Sequence, residues 1–302
     1  MFRLKDIKIN GDTLSWRVKS LENKTLLNYL YEDLSFSTNL IKQAKSHEGL
    51  ILVNNKERTV RHIIKNGDNI VIKLPKVDKG MYMQPTDIPL SVLYEDEHLL
   101  IVNKQANQAT VPSALHKKNT LANSLLFHYE KNNLPYTVHV VTRLDRDTSG
   151  IVIIAKHRYC HSLLGNEKSK INRKYFALIT GKLTKKQSQI NLPIGRSRYS
   201  IIERCVTSSG KSAVTNYKVM KEYTDYSLVE VTLETGRTHQ IRVHFSHIDH
   251  PLLGDDLYGG DQSLINRQAL HCSQVSFIHP FTDEPLLCEA ELPKDMSDLL
   301  RK

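Results

Sequence analysis

The chain has 302 residues, a formal net charge of +10 and four cysteines. That length holds one large domain and a small one, and the positive charge points to a polyanionic partner without specifying a fold. Two classes are excluded: the apolar run Ile151 to Ala155 is far short of the ~18 residues of a membrane helix, and Cys160, Cys205, Cys272 and Cys288 are scattered with no Cys-x-x-Cys, which fits reduced thiols rather than a disulfide framework or zinc site. The opening Met1-Phe2-Arg3-Leu4-Lys5-Asp6 carries an acidic residue and no apolar segment, so no secretory signal is expected and the cytoplasm is the expected location.

Residues 1–22 alternate weakly and predict a strand pair turning at Asn10-Gly11-Asp12. Thr25 can cap a helix with Leu26, Leu27, Leu30 and Leu34 on its apolar face. Ser37 or Thr38 starts a second helix, with Leu40, Ile41 and Ala44 inward and Lys42 and Lys45 outward. A strand Leu50 to Val53, a basic run Arg58-Thr59-Val60-Arg61-His62, a turn Asn66-Gly67-Asp68 and a closing strand from Asn69 follow. From Lys24 to Lys76 there are nine basic residues against five acidic, about +4 in one small unit. This unit resembles the small S-four-like RNA-binding module of ribosomal proteins. The resemblance implies that Lys42, Lys45, Arg58 and Arg61 contact phosphates, which gives affinity and positioning rather than sequence choice.

Pro75, Gly80 and Pro85 punctuate an aperiodic stretch read as a linker, dividing the chain into 1–75, 76–87 and 88–302. Leu90 to Lys104 reads as strand, acidic turn, strand. A helix capped near Thr120 then carries Leu121, Leu125, Leu126 and Tyr129 on one face. The central stretch follows. Two β-branched runs, 138–142 and 151–154, read as buried strands. Between them lies a charged connection with Arg143, Asp145, Arg146 and Asp147, closed by Gly150. Such charges are costly between core strands unless they pair or do chemistry; by composition alone the segment is equally a solvated turn.

Tyr159 to Glu167 is expected to be helical and Lys174 to Gly181 a strand, with a strand end and turn at Asn191 to Arg196. Ser209-Gly210-Lys211-Ser212 has the end of a phosphate-loop motif, but Cys205 stands where its first glycine is required. Lys211 to Val219 alternates as a strand instead, and Tyr226 to Glu234 is another. Thr235-Gly236-Arg237 ends it, and Thr238 is expected to cap a helix through His247. His239, His244, His247 and His250 are spaced five, three and three apart without glutamate or cysteine, a poor metal pattern that suits polar or RNA-facing histidines. Strands Ala269 to Phe277 and Leu286 to Leu292 and a short helix close the chain.

Four separated segments together resemble the RluA/RluD-type RNA pseudouridine synthases. They are Arg143-Leu144-Asp145-Arg146-Asp147-Thr148-Ser149-Gly150, Lys174-Tyr175-Phe176-Ala177, Gly236-Arg237-Thr238-His239-Gln240-Ile241-Arg242-Val243-His244, and Gly254-Asp255 with Tyr258-Gly259. Tyr94-Glu95-Asp96, Pro193-Ile194-Gly195-Arg196 and Leu270-His271 support them. The resemblance implies an α+β fold on a central mixed, mostly antiparallel sheet. It also implies isomerisation of uridine in RNA without cofactor or metal; oligomeric state is not readable from the sequence, and a monomer is the default expectation. Asp145 matches the nucleophile, attacking sugar or base. Arg242 matches its ionic partner and Tyr175 the ring that stacks on the base. Arg143 matches the residue filling the gap left by the flipped base, and Arg146, Arg237 and His239 would face the RNA. Ribosomal RNA is the favoured target, with transfer RNA an alternative. A non-catalytic RNA-binding protein of this fold and a metal-dependent hydrolase are the competing readings.

Two departures stand out. Thr142 replaces the family's usual histidine before Arg-Leu-Asp, and Lys104-Gln105-Ala106-Asn107 replaces Lys-Pro-Ala-Gly. The second predicts a turn that is looser or differently shaped, which puts any substrate contact there in doubt.

Overall fold

The computed structural model describes residues 4–20, 22–76, 81–166 and 170–301. The start of the chain at Met1 to Arg3, the middle of the expected linker and the Glu167 end of one expected helix lie outside these.

The N-terminal unit comprises β1 (Lys8–Asn10), β2 (Thr13–Arg17), β3 (Lys24–Thr25), α1 (Leu26–Glu32), α2 (Thr38–Ala44), β4 (Leu50–Val53), β5 (Lys56–Glu57), β6 (Ile63–Ile64) and β7 (Asn69–Lys73). Both helices start where the sequence places them. Thr25 and Ser37 are in extended conformation, and their hydroxyls accept from the backbone N–H of Asn28 and Leu40. The five-stranded sheet runs β1-β2-β7-β4-β5. Its alternating residues Leu14, Trp16, Ile70 and Ile72 bury against Leu26, Leu30, Leu40 and Ile41 of the helices.

The larger unit comprises β8 (Val92–Glu95), β9 (Leu99–Lys104), α3 (Leu121–Lys131), β10 (His139–Val140), β11 (Ser149–Ala155), α4 (Arg158–Leu164), β12 (Asn172–Thr180), β13 (Gln187–Asn191), β14 (Ile194–Arg196), β15 (Arg204–Val206), β16 (Val214–Glu222), β17 (Tyr226–Leu233), α5 (Gln240–His247), β18 (Leu270–Ile278), β19 (Pro285–Glu289) and α6 (Lys294–Ser297). Its sheet runs β13-β16-β17-β12-β18-β11-β9-β8, with β10 beside β11 and β19 beside β18. Every pairing in it is antiparallel except β11 with β18, so it is the expected mixed, mostly antiparallel sheet. β11 is buried along its whole length, as a strand covered on both faces must be.

Four local expectations change. Only His139–Val140 of the run 138–142 pairs as strand; both residues are half-buried, because the chain leaves the sheet once Val141 N–H has bonded Ile153 O. The helix expected over 159–167 is α4, ending at Leu164 with Gly165 as its C-cap. Asn191 to Arg196 holds more than a turn, since β14 pairs with β15 in a short hairpin. Thr238 does not cap α5: His239 takes that position in left-handed backbone conformation without a side-chain bond, and the Gln240 carboxamide accepts from Arg237 N–H at 2.9 Å instead.

The two units meet at α4. Tyr159 Oη donates to Leu34 O at 2.7 Å, and Ser37 N–H donates to Ser162 Oγ at 2.9 Å. Arg158 bonds Asp12, Gln43 and the Pro75 carbonyl. Rings run through this seam without interruption: Trp16 to Phe36, Phe36 to Tyr159 at 4.7 Å between centroids, and Tyr159 to Phe281.

Candidate active site

The segment Arg143 to Ser149 crosses the middle of the large sheet as the entry to β11, and its neighbours fix it almost residue by residue. Thr110 Oγ1 donates to Leu144 O at 2.8 Å. Lys104, the last residue of β9, is 1% exposed. Its Nζ reaches Gln105 O, Gln108 O and Arg146 O at 2.8, 2.8 and 3.0 Å, three acceptors for the three protons of an ammonium. Burial nevertheless lowers its pKa to about 7, with Asp147 and then Asp145 opposing the shift. The turn after β9 is therefore pinned rather than loose, with Asn107 supplying the left-handed residue (φ +60°). On the other side, Arg267 Nη1 donates to Asp147 O, Gln268 Nε2 donates to Thr148 Oγ1, and Ser149 Oγ pairs with His271 Nδ1 at 2.9 Å. Arg267 is itself held bidentately by Asp295 of α6.

This clamp presents the Asp145 carboxylate to α5. Arg242 Nη1 donates to Asp145 Oδ2 at 3.1 Å. The same guanidinium gives Nε and Nη2 to the two oxygens of Asp255 at 2.7 and 2.8 Å. Asp255 is 0% and Arg242 7% exposed, whereas Asp145 keeps 28% of its side chain open. One cation thus spans two carboxylates, the inner one sealed and the outer one reachable. Burial works against the charge on Arg242, but hydrogen bonds and charge from Asp255, then from Asp145, outweigh it and hold the guanidinium more firmly protonated than usual.

Tyr258 closes the cluster. Its ring lies 5.0 Å from the Arg242 guanidinium carbon. Its hydroxyl accepts from Arg204 N–H at 2.9 Å and pairs with His239 Nδ1 at 2.8 Å. His239 Nε2 lies 3.8 Å from Asp145 Oδ2. Burial is the main cause that lowers the His239 pKa, Asp145 opposes it and Arg242 adds to it; burial lifts Tyr258 to about 12.

Tyr175 lies on the floor of the site. A bulge between Lys174 and Tyr175 sets it opposite Cys272, which also pairs with Gly150 at the end of the Asp145 segment. The ring is 4% exposed. Burial, then the neighbouring Cys272, pushes its pKa well up, and the Asp145 charge adds a smaller push.

Asp145, Arg242 and His239 therefore converge, with Tyr175 beneath. Arg143 and Arg146 are exposed on the rim, where Arg146 grips Asp147 bidentately. Arg237 is exposed in the turn before α5 and donates to Ser212 O. Lys42, Lys45, Arg58 and Arg61 are exposed on the N-terminal unit, apart from this cluster. The four histidines of 239–250 do not converge on one point. His244 is buried against Thr215 Oγ1 and Leu192 O, so it is a core residue and not an RNA-facing one, and His250 bonds Thr180 O. Among the described residues no group of three or more histidine, cysteine, aspartate or glutamate side chains is placed to hold a metal ion.

Residues 98–247 match the family model for RNA pseudouridylate synthase. The chain is 43% identical over 271 residues to the uncharacterized RNA pseudouridine synthase YjbO of Bacillus subtilis, covering 89% of this chain and 96% of that protein. It is 38% identical to ribosomal large subunit pseudouridine synthase D of Zymomonas mobilis, covering 79% of this chain and 80% of that one. The chain belongs to the RNA pseudouridine synthase family. Among solved structures, human RNA pseudouridylate synthase domain containing 1 shares the fold with a TM-score of 0.55 at 23% identity, covering 74% of this chain and 96% of that one.

The synthase is thus an RNA-modifying isomerase, and no helix among its described residues is long and apolar enough to cross a membrane. Sequence reasoning gave no role to Asp255, Tyr258, Lys104 or Arg267. A usable signal existed for Asp255, an acid set directly behind Pro251-Leu252-Leu253-Gly254 in a stretch too apolar for a solvated loop.

Proposed function

We propose that this synthase isomerises uridine in structured RNA, with large-subunit ribosomal RNA as the target and Asp145 as the nucleophile. The observation that carries this is the split environment of one guanidinium: Arg242 is locked to the sealed Asp255 and offers its remaining edge to the open Asp145. A carboxylate paired to a guanidinium and still partly open can add to an electron-poor sugar carbon or pyrimidine ring, as in retaining glycosidases. In the overall change the ribose–N1 bond breaks and a ribose–C5 bond forms. N1 gains a proton and C5 loses one. The name of the Zymomonas relative supports the ribosomal target.

A uridine stacked in a helix cannot reach Asp145, so the base must be extruded. Arg143, exposed beside the loop, is suited to occupy the vacated stack as a planar cation. Tyr175 offers the extruded base an apolar face. Its raised pKa keeps the phenol protonated at rest, which favours stacking as its ground-state role. The N-terminal unit, with Lys42, Lys45, Arg58 and Arg61 outward, grips phosphates away from the target. Asp145, Arg242, Asp255, His239 and Tyr258 all come from one chain, so a monomer holds the whole cluster, and the enzyme is read as a cytoplasmic monomer.

The test is tritium release from RNA labelled at uridine C5, using ribosomal and transfer RNA transcripts with wild type and Asp145→Asn. Release from ribosomal RNA by wild type alone, with the variant still binding, is the expected result. Equal release by both proteins would remove Asp145 from the role, and release from transfer RNA alone would reassign the target.

A further inference from the structure

A cavity of about 440 Å³ lies apart from Asp145, which is not among its lining residues. It opens between the β14–β15 hairpin, the Ser209 to Lys211 turn and the Gly236 to Thr238 turn, and Arg196, Arg204, Lys211 and Arg237 line it. None of these four cations has an ion pair among the described residues. Between Ile194 and Lys211 the sequence carries Arg196, Arg198, Arg204 and Lys211 against the single acid Glu203.

Two of the cations are oriented rather than free. Arg237 is tethered through Nε to Ser212 O, and Arg204 through Nη1 to Ile202 O and Glu203 O; the other guanidinium nitrogens of each have no hydrogen-bond acceptor among the described residues. Glycines shape the wall: a Cβ on Gly210 would sit 2.5 Å from the Ile194 carbonyl carbon, and one on Gly195 would sit 2.5 Å from Thr207 Cγ2. The hairpin and the 209–211 turn therefore pack at backbone distance, and Lys211 is brought beside Arg196. Like charges gathered without counter-charge raise the potential of a concave surface and concentrate anions there.

The cavity is also wired to the reaction centre. Arg204 N–H bonds Tyr258 Oη, Tyr258 Oη bonds His239 Nδ1, and His239 Nε2 faces Asp145. We propose that this cavity is a phosphodiester subsite that takes the RNA backbone flanking the target uridine, with Arg196 and Lys211 as its main phosphate contacts. The inference rests on the RNA-directed reading above and adds a place for the strand that leaves the site. A phosphate there is held by the same hairpin that positions Tyr258 and His239, so backbone binding and the geometry around Asp145 are set together.

The test separates this subsite from catalysis by reading binding alone. Fluorescence anisotropy of a labelled twelve-residue oligouridylate is followed across salt for wild type, Arg196→Gln with Lys211→Gln, the charge-keeping pair Arg196→Lys with Lys211→Arg, and Lys131→Gln on α3 as a distant control. Each lost phosphate contact shallows the log–log salt slope by roughly 0.7 on a single strand. The neutralised pair is expected to lose about one unit of slope or more and to bind about tenfold more weakly at 150 mM salt. The charge-keeping pair and Lys131→Gln are expected to match wild type. A neutralised pair with wild-type slope and Kd, and a native melting temperature, overturns the proposal. A wild type that binds with this salt dependence yet releases no tritium overturns the catalytic reading instead.

Discussion

Asp255 is the side chain on which the site's stability turns, because it is sealed from solvent with Arg242 as its only ionic partner among the described residues. Arg242→Ala would strand that buried carboxylate and is expected to cost about 3–5 kcal/mol in denaturant unfolding, besides abolishing turnover. Asp145→Asn removes the outer, partly open acid and leaves the Arg242–Asp255 pair whole. Its unfolding midpoint is expected to stay within about 1 kcal/mol of wild type while tritium release is lost. If both variants unfold alike, the division into an anchoring and a reacting carboxylate is wrong. Arg143→Ala is expected to slow turnover of structured RNA at least tenfold more than turnover of short single strands, since only a stacked base leaves a gap to fill; equal losses would remove that role. The Asp145–Arg242 pairing was within reach of the sequence through its motifs. The Arg242–Asp255 fork was not, because the apolar stretch before Asp255 marks it as an acid to be buried but nothing in the residue order says which cation meets it.

The elements legible in the sequence are those whose signals are local. Thr25, Ser37 and Thr120 each cap the helix expected of them, since a hydroxyl finding an N–H three residues on needs no tertiary partner. The failures are places where a distant contact decided. His239 displaced Thr238 as the cap of α5 because Gln240 is drawn down by Val214 O and Thr215 Oγ1. The turn at 104–107 is tight because Lys104 was pulled inward by Arg146 O, 42 residues away. Lys104→Met keeps the bulk but leaves three carbonyls without their donor. It is expected to lower stability by roughly 2–4 kcal/mol and turnover by more than tenfold, with RNA affinity retained. Gly150 joins β11 to β18 with φ +116°, and a Cβ there would lie 2.3 Å from Cys272 O. Gly150→Ala is accordingly expected to cost more than about 3 kcal/mol, seen as a large drop in melting temperature.

At the scale of the molecule, several buried and half-buried histidines have pKa values lowered in the fold. Burial first, and for His139 and His157 neighbouring histidines second, lowers His139 and His271 to about 4 and His157 to about 3. His157 has a further reason to stay neutral: its Nδ1 accepts from Cys160 N–H as the cap of α4. On unfolding these rings regain a pKa near 6.5 and take up protons that the folded state refuses. Stability is therefore full above pH 6.5 and is lost as pH falls toward about 4, with roughly 2–4 kcal/mol at stake for each ring. Thermal melts at pH 7.5, 6, 5 and 4.5 are expected to fall steeply across that window, before most carboxylates titrate; a flat profile would contradict it. The α4 seam has another consequence. Because apolar rings run from Trp16 through Phe36 and Tyr159 to Phe281 without a break, the two sheets share one melting transition, and a calorimetric scan is expected to show a single peak. The small unit is then no detachable adaptor. Grafting a different RNA-reading module onto this synthase would require the newcomer to bring its own apolar face for Tyr159 and Phe281, so retargeting by module exchange is constrained first by core packing and only afterwards by RNA recognition.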